Sequence, residues 1–479
     1  MTNPLFDGLL ATGRTTPDKC FAILPDGREF TYADVETVSA RFANALVALG
    51  VEPGDRVAVQ ADKSIEALML YFGTVRAGGV FLPLNTAYTP TEIDYFLNDA
   101  KPRVFVCDPA KRDGLAATAE GAGARLETLG ARATDAGSLN AQADAASGEF
   151  ATVARQLSDL AAILYTSGTT GRSKGAMLTQ DNLLSNAEVL RDYWRFTADD
   201  VLLHLLPIFH THGLFVASNT VMIAGGTMIF LPKFDVEQVF KYLPQATAMM
   251  GVPTFYTRLL ADERLNRERT AHMRLFTSGS APLLAETHRA FEERTGQRIL
   301  ERYGMTETNM STSNPYDGER RAGTVGFPLP GVELRIVDAD TAKPLPDGEI
   351  GVIEVKGPNV FCGYWQMPEK TAAEFRADGF FITGDLGLID PQGYVTIVGR
   401  GKDLIISGGF NIYPKEVELA LDELPGVVES AVIGVPHPDF GEGVVGVVVA
   451  ERALDEAELT GALAERLARF KQPKRIVFV

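Results

Sequence analysis

The sequence Tyr165-Thr-Ser-Gly-Thr-Thr-Gly-Arg-Ser-Lys-Gly175 directly follows an apolar run, Leu160-Ala-Ala-Ile-Leu164, which has the length and composition of a buried strand. Hydroxyl side chains, glycines and two cations are concentrated in this polar segment. Glycine lets the backbone approach a ligand closely, and hydroxyl and N–H groups can surround a phosphate. We therefore predict a phosphate-binding loop in which Lys174 lies against the charge of the ligand.

The spacing of the glycines separates this loop from the Walker A motif of P-loop NTPases. That motif needs four residues between its first glycine and Gly-Lys-Ser/Thr, whereas Gly168 and Gly171 are separated by Thr169 and Thr170 alone. A P-loop-type NTPase or kinase is the alternative from another class of enzyme, and a flexible polar connector is the non-functional alternative. Connectors are seldom so dense in hydroxyls and cations directly after a buried strand.

The composition is that of a globular enzyme with more than one domain. The chain has 479 residues, of which 46% are hydrophobic and 22% charged, and is too long for a single core. Its net charge of −17 argues against a nucleic-acid partner. The isolated Cys20, Cys107 and Cys362 argue against a disulfide framework or a structural zinc. Neither a signal peptide nor a membrane-spanning run is recognisable, and the isolated cysteines fit a reducing compartment, so we expect a cytoplasmic protein without a membrane partner. We expect this protein to be a monomer or a homodimer.

Strand and helix patterns alternate along most of the chain. A strand at Arg56–Gln60, for example, is followed by a helix at Ser64–Ala77, and the alternation resumes over residues 201–310. Such repeats predict an α/β protein with two doubly wound, mostly parallel sheets. Residues 323–399 instead alternate short strands with Pro/Gly turns, which predicts a small β-barrel or sandwich. The Ala/Gly-rich residues 111–155 are expected to form a surface excursion.

These patterns divide the chain into two predicted domains. We expect a large N-terminal domain over residues 1–399, a hinge at 400–403, and a small, mobile α+β domain over 404–479. The sequence stops directly after an apolar strand pattern, Ile476-Val-Phe-Val479. We therefore expect the small domain to be incomplete and to continue beyond residue 479.

Three further motifs carry side chains that are capable of chemistry. Glu307, at the end of Tyr303-Gly-Met-Thr-Glu307, is a hard oxygen ligand suited to Mg²⁺. Asp385 follows a glycine turn and could bind vicinal ribose hydroxyls. Taken singly, a glutamate at a helix start or an aspartate in a turn is more often structural. His210 and His212 flank Thr211, but no carboxylate or cysteine cluster supports a metal site there.

Together and in this order, these motifs make the sequence resemble the adenylate-forming superfamily, which includes acyl-CoA synthetases, luciferases and peptide-synthetase adenylation domains. The resemblance covers essentially the whole chain and implies ATP, Mg²⁺ and coenzyme A as cofactors and co-substrate. It implies that the nucleotide is bound by the phosphate loop, the adenine segment and two ribose contacts, namely Thr166, Ser167, Gly168, Thr169, Thr170, Gly171, Lys174, Gly279, Ser280, Ala281, Glu301, Tyr303, Asp385 and Arg400.

The same resemblance implies the roles of the remaining motif residues. It makes Lys174, Thr306, Glu307 and His210 catalytic, and Thr170 and Glu307 the metal ligands. It makes Lys402 the pivot of the small domain, and Gly408, Gly409 and Phe410 the loop on the coenzyme A side.

Within the superfamily the sequence most resembles malonyl-CoA synthetases, through residues 170–177, 251–260 and 301–309. A dicarboxylic acid needs a partner for its second charge, because an unpaired buried carboxylate is too costly. Arg258 is the predicted partner, since a guanidinium grips a carboxylate through two hydrogen bonds; the alternative is a solvated position on a helix. The other residues expected to shape the acid pocket are His210, Thr211, Ser278 and Met305.

The resemblance implies a two-step ligation, in which the acid first takes AMP from ATP and the coenzyme A thiol then displaces AMP. Methylmalonate could also be accepted, since one methyl group changes binding by only about 1–3 kcal/mol. Another short-chain or aryl acid–CoA ligase, a carrier-loading adenylation domain and a non-catalytic nucleotide-binding regulator are the alternatives. The adenylation lysine of the superfamily lies in a Gly-Lys motif near the C-terminus, and Lys471 and Lys474 come too early for it.

Overall fold

The computed structural model describes residues 3–130, 137–166, 173–407, 410–437, 441–464 and 466–479. The chain divides into two compact units. The first unit comprises Met1–Glu333 and Lys356–Phe375, and the second comprises Leu334–Val355 and Arg376–Val479. The predicted domain boundary at residues 399–404 stays a prediction.

The strands of the described residues are β1 Cys20–Ile23, β2 Glu29–Thr31, β3 Arg56–Gln60, β4 Val80–Pro83, β5 Val104–Cys107, β6 Arg125–Thr128, β7 Leu160–Thr166, β8 Lys174–Thr179, β9 Val201–His204, β10 Thr227–Phe230, β11 Ala248–Gly251, β12 Leu275–Ser278, β13 Leu300–Tyr303, β14 Thr312–Ser313, β15 Phe327–Pro328, β16 Glu333–Val337, β17 Gly351–Lys356, β18 Phe381–Ile389, β19 Val395–Arg400, β20 Ile405–Ser407, β21 Phe410–Ile412, β22 Val427–His437, β23 Gly441–Ala450 and β24 Arg475–Phe478. The α-helices are α1 Pro4–Leu10, α2 Tyr32–Ala48, α3 Ile65–Arg76, α4 Pro90–Ala100, α5 Arg112–Gly121, α6 Ser138–Ala145, α7 Gln180–Tyr193, α8 Thr220–Ala224, α9 Val236–Tyr242, α10 Pro253–Leu260, α11 Arg267–Thr270, α12 Ala285–Thr295, α13 Pro368–Glu374, α14 Pro414–Asp422 and α15 Glu456–Ala464. A π-helical segment, His212–Asn219, precedes α8.

The first unit contains two large sheets. One has the order β15-β14-β13-β12-β11-β9-β10-β1-β2, and the other the order β6-β5-β3-β4-β7-β8. The pairs from β10 through β13 are parallel, as are those from β6 through β7. Antiparallel strands such as β8 lie at the edges. The predicted pair of doubly wound, mostly parallel sheets is confirmed.

Local sequence explains where the elements of these sheets begin. The side chain of Thr31 accepts a hydrogen bond from the Asp34 N–H while the Asp34 carboxylate accepts one from the Thr31 N–H, which caps α2. Ser64 caps α3 in the same position. All four residues of β5 are buried, because a parallel strand is covered on both faces.

The excursion expected over residues 111–155 is wrong in part, since this segment contains α5, β6 and α6. β6 extends the second sheet by pairing in parallel with β5. Leu115 and Ala119 on α5, and Leu139 and Ala143 on α6, are buried. The Ala-rich helices carry few large apolar residues, so their buried faces give a weak periodic pattern.

The second unit contains two smaller sheets. β16, β17, β18 and β19 form a sheet in that order, in the region for which the sequence predicts a barrel or sandwich, and the β17–β18 and β18–β19 pairs are antiparallel. The other sheet has the order β21-β20-β23-β22, with β24 parallel to β23. Its core includes Ile405, Val417 and Leu463. Across the described ranges, none of the helices has the length and apolar character needed to cross a membrane.

Candidate active site

The two stems of the predicted phosphate loop are held firmly by neighbouring side chains. β7 and β8 are antiparallel, and Thr166 is the register partner of Lys174. The Tyr165 hydroxyl donates a hydrogen bond to the Asp99 carboxylate, and the Tyr95 hydroxyl donates to the Ser173 carbonyl at 2.8 Å. The loop residues Ser167, Gly168, Thr169, Thr170 and Gly171 lie outside the described residues.

Lys174, at the start of β8, faces two side chains that the sequence did not single out. Its Nζ lies 3.2 Å from Oε1 of Glu374 and 4.1 Å from the ring centroid of Tyr364. The Tyr364 hydroxyl lies 3.0 Å from Oε1 of Glu307 and 2.7 Å from Oε2 of Glu374. Lys174, Tyr364, Glu374 and Glu307 are called the lysine–carboxylate cluster below.

Backbone hydrogen bonds bring this cluster together. The Trp365 N–H donates to the Gly175 carbonyl at 2.7 Å, so the chain at Tyr364 runs along the edge of β8. The Tyr364 N–H donates to Thr371 Oγ1 at 2.9 Å, which fixes α13 and Glu374 against it. The Phe361 N–H donates to the Glu307 carbonyl at 2.7 Å.

The carboxylates of the cluster differ in their electrostatic environment. Burial raises the pKa of Glu307, although the Tyr364 hydroxyl and Lys174 oppose it. At Glu374 burial raises the pKa, but the hydrogen bonds from Lys370 and Tyr364 and the charge and hydrogen bond of Lys174 together outweigh it, and the pKa is lowered. Glu307 therefore offers the hard, buried oxygen ligand that suits Mg²⁺, with the half-buried Thr306 beside it and Thr170 outside the described residues.

A second group of polar residues lies at the carboxyl ends of β9, β12 and β13, the edge where open α/β sheets bind ligands. Arg302, in β13, is buried, and its Nε and Nη2 have no hydrogen-bond partner among the described residues. Burial lowers the pKa of this guanidinium to about 9. Within the same described ranges, buried polar atoms without a hydrogen-bond partner also occur on Thr211, His212, Thr277 and Ser278.

Close contacts join these residues to the predicted adenine segment. A Cβ at Gly279 would lie 2.3 Å from Arg302 Nη1, so the guanidinium packs directly on the glycine backbone. Ser280 adopts a left-handed φ of 68°, and its Oγ lies 3.2 Å from Nδ1 of His212. Burial, and then the charge of Arg302, lowers the pKa of His212 well below its usual range. Arg302, His212, Thr211, Ser278 and Gly279 are called the arginine pocket below.

Other predicted pocket residues lie around these positions. His210 Nδ1 accepts a hydrogen bond from the His212 N–H at 3.2 Å. The Tyr303 hydroxyl lies 4.0 Å from the sulfur of the half-buried Met305. The buried carboxylate of Glu301 contacts His288 Nδ1 at 3.0 Å and accepts a hydrogen bond from the Gly323 N–H at 3.2 Å. Ala281 is exposed.

Arg258 occupies a different environment from Arg302. It lies on the exposed face of α10, and its guanidinium carbon is 6.0 Å from the ring centroid of Phe234. Its part in binding the acid stays a prediction. Arg302 was not predicted as a site residue, because within Glu301-Arg-Tyr303 it has the pattern of an ordinary polar residue in a short strand.

The predicted ribose contacts lie in the second unit. Asp385 in β18 is the register partner of Arg400 at the end of β19, and Arg400 Nε lies 3.4 Å from Asp385 Oδ1. The Asp385 N–H donates to Thr383 Oγ1 at 3.1 Å, which fixes the turn before the carboxylate. Lys402 is exposed in a short turn. Phe410 begins β21, whereas Gly408 and Gly409 lie outside the described residues.

Comparison with known proteins identifies relatives over the whole chain. A family model described as AMP-binding enzyme matches residues 10–365, and one described as AMP-binding enzyme C-terminal domain matches residues 416–479. The chain is 61% identical to MatB from Rhodopseudomonas palustris, with a TM-score of 0.98 to its ATP-bound crystal structure and 0.89 to its apo crystal structure. The match with ATP-bound MatB covers 100% of this chain and 95% of the MatB chain.

Curated relatives are more distant. A malonate–CoA ligase of Arabidopsis thaliana is 33% identical over 95% of this chain and 82% of its own length. A sulfoacetate–CoA ligase of Cupriavidus necator is 36% identical over 97% of this chain and 91% of its own length. With the family models covering both units and the motifs placed as described, this chain belongs to the family of AMP-binding enzymes.

Proposed function

We propose that this enzyme ligates malonate to coenzyme A through a malonyl-adenylate, with release of AMP and pyrophosphate. The observation that carries the proposal is the buried guanidinium of Arg302, which has two nitrogens without a partner among the described residues. A buried charge without a partner is costly. An acid with a second carboxylate would supply that partner.

The neighbours of Arg302 suit a small anionic acid. Hydroxyl groups of Thr211 and Ser278 and the ring of His212 present further polar atoms that lack partners within the described ranges. A guanidinium binds a carboxylate through two parallel hydrogen bonds. The similarity to malonate–CoA ligases of Arabidopsis thaliana and Bos taurus, at 33% and 32% identity, supports malonate as that acid.

In the first step, the malonate carboxylate attacks the α-phosphorus of ATP and pyrophosphate leaves. Lys174 and the phosphate loop hold the β- and γ-phosphates, as the similarity to ATP-bound MatB supports. Glu307, with Thr306 and Thr170, would hold Mg²⁺, which supplies neutralisation of phosphate charge when bound. Catalysis by these residues consists mainly of positioning the reactants and stabilising charge.

In the second step, the coenzyme A thiol attacks the acyl carbonyl and AMP leaves. Asp385 and Arg400 hold the ribose, and Gly279 to Ala281 line the adenine. Lys402 is the pivot of the small C-terminal domain over residues 404–479, and the loop of Gly408, Gly409 and Phe410 lies on the coenzyme A side. This assignment uses one site for two reactions through a change in conformation.

The experiment compares initial rates with malonate, methylmalonate and propionate, with AMP, ADP and pyrophosphate measured in parallel. Propionate has no second carboxylate, so we expect its kcat/KM to be at least about 100-fold lower than that of malonate. Methylmalonate should lie within a factor of about 100 of malonate. Equal efficiency with propionate would contradict the role of the arginine pocket. ADP in place of AMP would favour a kinase or P-loop NTPase.

A further inference from the structure

The lysine–carboxylate cluster contains an ion pair that the proposed reaction has not used. The side chains of Lys174 and Glu374 are only 10% and 19% exposed, and their charged atoms are 3.2 Å apart. Partly buried pairs of this kind are screened less by solvent than surface pairs. Lys174 is also the side chain assigned to the β- and γ-phosphates of ATP. The Glu374 carboxylate and the phosphates of ATP therefore compete for the ammonium group of Lys174.

We propose that Glu374 is a positioning residue that holds Lys174 at the start of β8 until a triphosphate or pyrophosphate takes the ammonium from it. This inference rests on the proposed function, because it assumes that Lys174 binds the β- and γ-phosphates. Glu374 thereby weakens the binding of ATP and pyrophosphate but leaves the binding of AMP unchanged, since AMP lacks those phosphates.

The surroundings of Glu374 allow it to give up Lys174 without becoming an isolated buried charge. Lys370 Nζ lies 2.7 Å from Glu374 Oε1, and the Tyr364 hydroxyl lies 2.7 Å from Oε2. Both contacts lie on residues of the same short segment, 364–374, which is tied to itself through Thr371. The carboxylate keeps a cation and a hydrogen-bond donor when Lys174 turns away.

Tyr364 connects this exchange to Glu307. Its single hydroxyl proton can be donated either to Glu307 or to Glu374, whose oxygens lie 3.0 and 2.7 Å away. The shorter distance already favours Glu374, and departure of Lys174 makes that carboxylate a still stronger acceptor. The proton then stays with Glu374, and Glu307 is available as an oxygen ligand without that hydrogen bond. Because Glu374 competes with bound pyrophosphate for Lys174, it also favours release of this product.

The test measures dissociation constants of ATP, pyrophosphate and AMP by calorimetry, in the absence of an acid substrate. The variants are Glu374→Gln, Lys174→Met, the double variant, and Glu369→Gln as a matched control on the exposed face of α13. Glutamine keeps an acceptor for Tyr364 but removes the charge. We expect Glu374→Gln to bind ATP and pyrophosphate about five-fold more tightly, as for the loss of a partly buried competing ion pair. AMP binding and the Glu369→Gln control should not change.

The other variants separate failure of this inference from failure of the proposed function. If Lys174→Met binds ATP as the wild type does, the assignment of Lys174 to the phosphates is overturned. Suppose instead that Lys174→Met weakens ATP binding, as expected. The role of Glu374 is then overturned if Glu374→Gln leaves ATP binding unchanged, weakens ATP binding, or also alters AMP binding. If Glu374→Gln still tightens ATP binding when it is combined with Lys174→Met, the role of Glu374 is also overturned, because the effect then does not act through Lys174.

A second substitution, Lys370→Met, keeps the inference testable if Glu374→Gln unfolds. Removal of Lys370 leaves Lys174 as the stronger partner of Glu374, so ATP and pyrophosphate should bind about two- to five-fold more weakly, with AMP unchanged. Tighter or unchanged ATP binding in this variant would overturn the competition.

Discussion

Replacement of Arg302 by methionine should remove the preference for a dicarboxylic acid. Methionine has a similar length and fits an apolar site without a charge. The guanidinium pKa falls from its ordinary value of 12.5 to about 9, which corresponds to a penalty of about 5 kcal/mol on the buried charged form. Hydrogen bonds between charged groups contribute about 1.5–3 kcal/mol each. Loss of two such bonds should lower kcat/KM for malonate by about 10²- to 10⁴-fold.

The same substitution should make the ligand-free protein more stable. The charged guanidinium is penalised in the folded state below a pH of about 9, and the penalty is relieved as pH rises from about 9 towards the unfolded value of 12.5. Arg302→Met should therefore raise the free energy of unfolding at pH 7, measured by urea denaturation, by about 1–4 kcal/mol. The difference in the free energy of unfolding between Arg302→Met and the wild type should become smaller above pH 9.

Steady-state rates with malonate and propionate provide the assay, with Arg258→Met as the comparison. We expect Arg302→Met to lose malonate efficiency while its rate with propionate stays within about three-fold of the wild type. An unchanged kcat/KM for malonate in Arg302→Met would refute the reasoning. A loss confined to Arg258→Met would instead favour the exposed arginine, and equal losses with both acids would indicate a structural role for Arg302.

Three further substitutions test other parts of the site and the fold. Gly279→Ala places a Cβ 2.3 Å from Arg302 Nη1 and should lower kcat/KM for malonate about 100-fold, which acid-dependent AMP formation will measure. Glu307→Gln should slow formation of malonyl-adenylate at least about 100-fold while AMP binding, measured by calorimetry, is retained. Asp200→Asn leaves Arg274 without its carboxylate partner at 2.5 Å and should destabilise the protein by about 3 kcal/mol in urea denaturation. Burial would raise the pKa of Asp200, but the hydrogen bonds from Arg274, Thr197 and Thr247 and the charge of Arg274 together outweigh it, and the pKa is lowered. The difference from the wild type should therefore disappear as pH falls through that lowered value.

Local sequence was sufficient for much of the fold and for several motif positions. Residues that are neighbours along the chain determine the strands at both ends of the phosphate loop and the strand before Glu307. They also determine the alternating strands and helices of the first unit, so a sequence pattern predicts these elements. The position of Asp385 beside Arg400 follows from two adjacent antiparallel strands. In each case the residues that determine the feature lie close together in the sequence.

Long-range packing explains what the sequence could not supply. Glu374 reaches Lys174 across 200 residues, and no local pattern marks either partner for the other. Arg258 and Arg302 are equally polar in the sequence, yet one is exposed and the other is buried against Gly279. Burial of a charge depends on which strands become neighbours in the sheet. Thr211 and Ser278 were expected from the resemblance, but the buried position of Arg302 beside Gly279 became visible only in the folded chain.

Formation of an acyl-adenylate tests the central claim most directly. The enzyme is mixed with malonate, ATP and Mg²⁺ but no coenzyme A, quenched, and analysed by mass spectrometry for malonyl-adenylate, pyrophosphate and ADP. We expect malonyl-adenylate and pyrophosphate in equal amounts, and neither product without malonate. Formation of ADP and a malonyl phosphate, or of no acid-dependent product while malonyl-CoA still accumulates on addition of coenzyme A, would contradict the account.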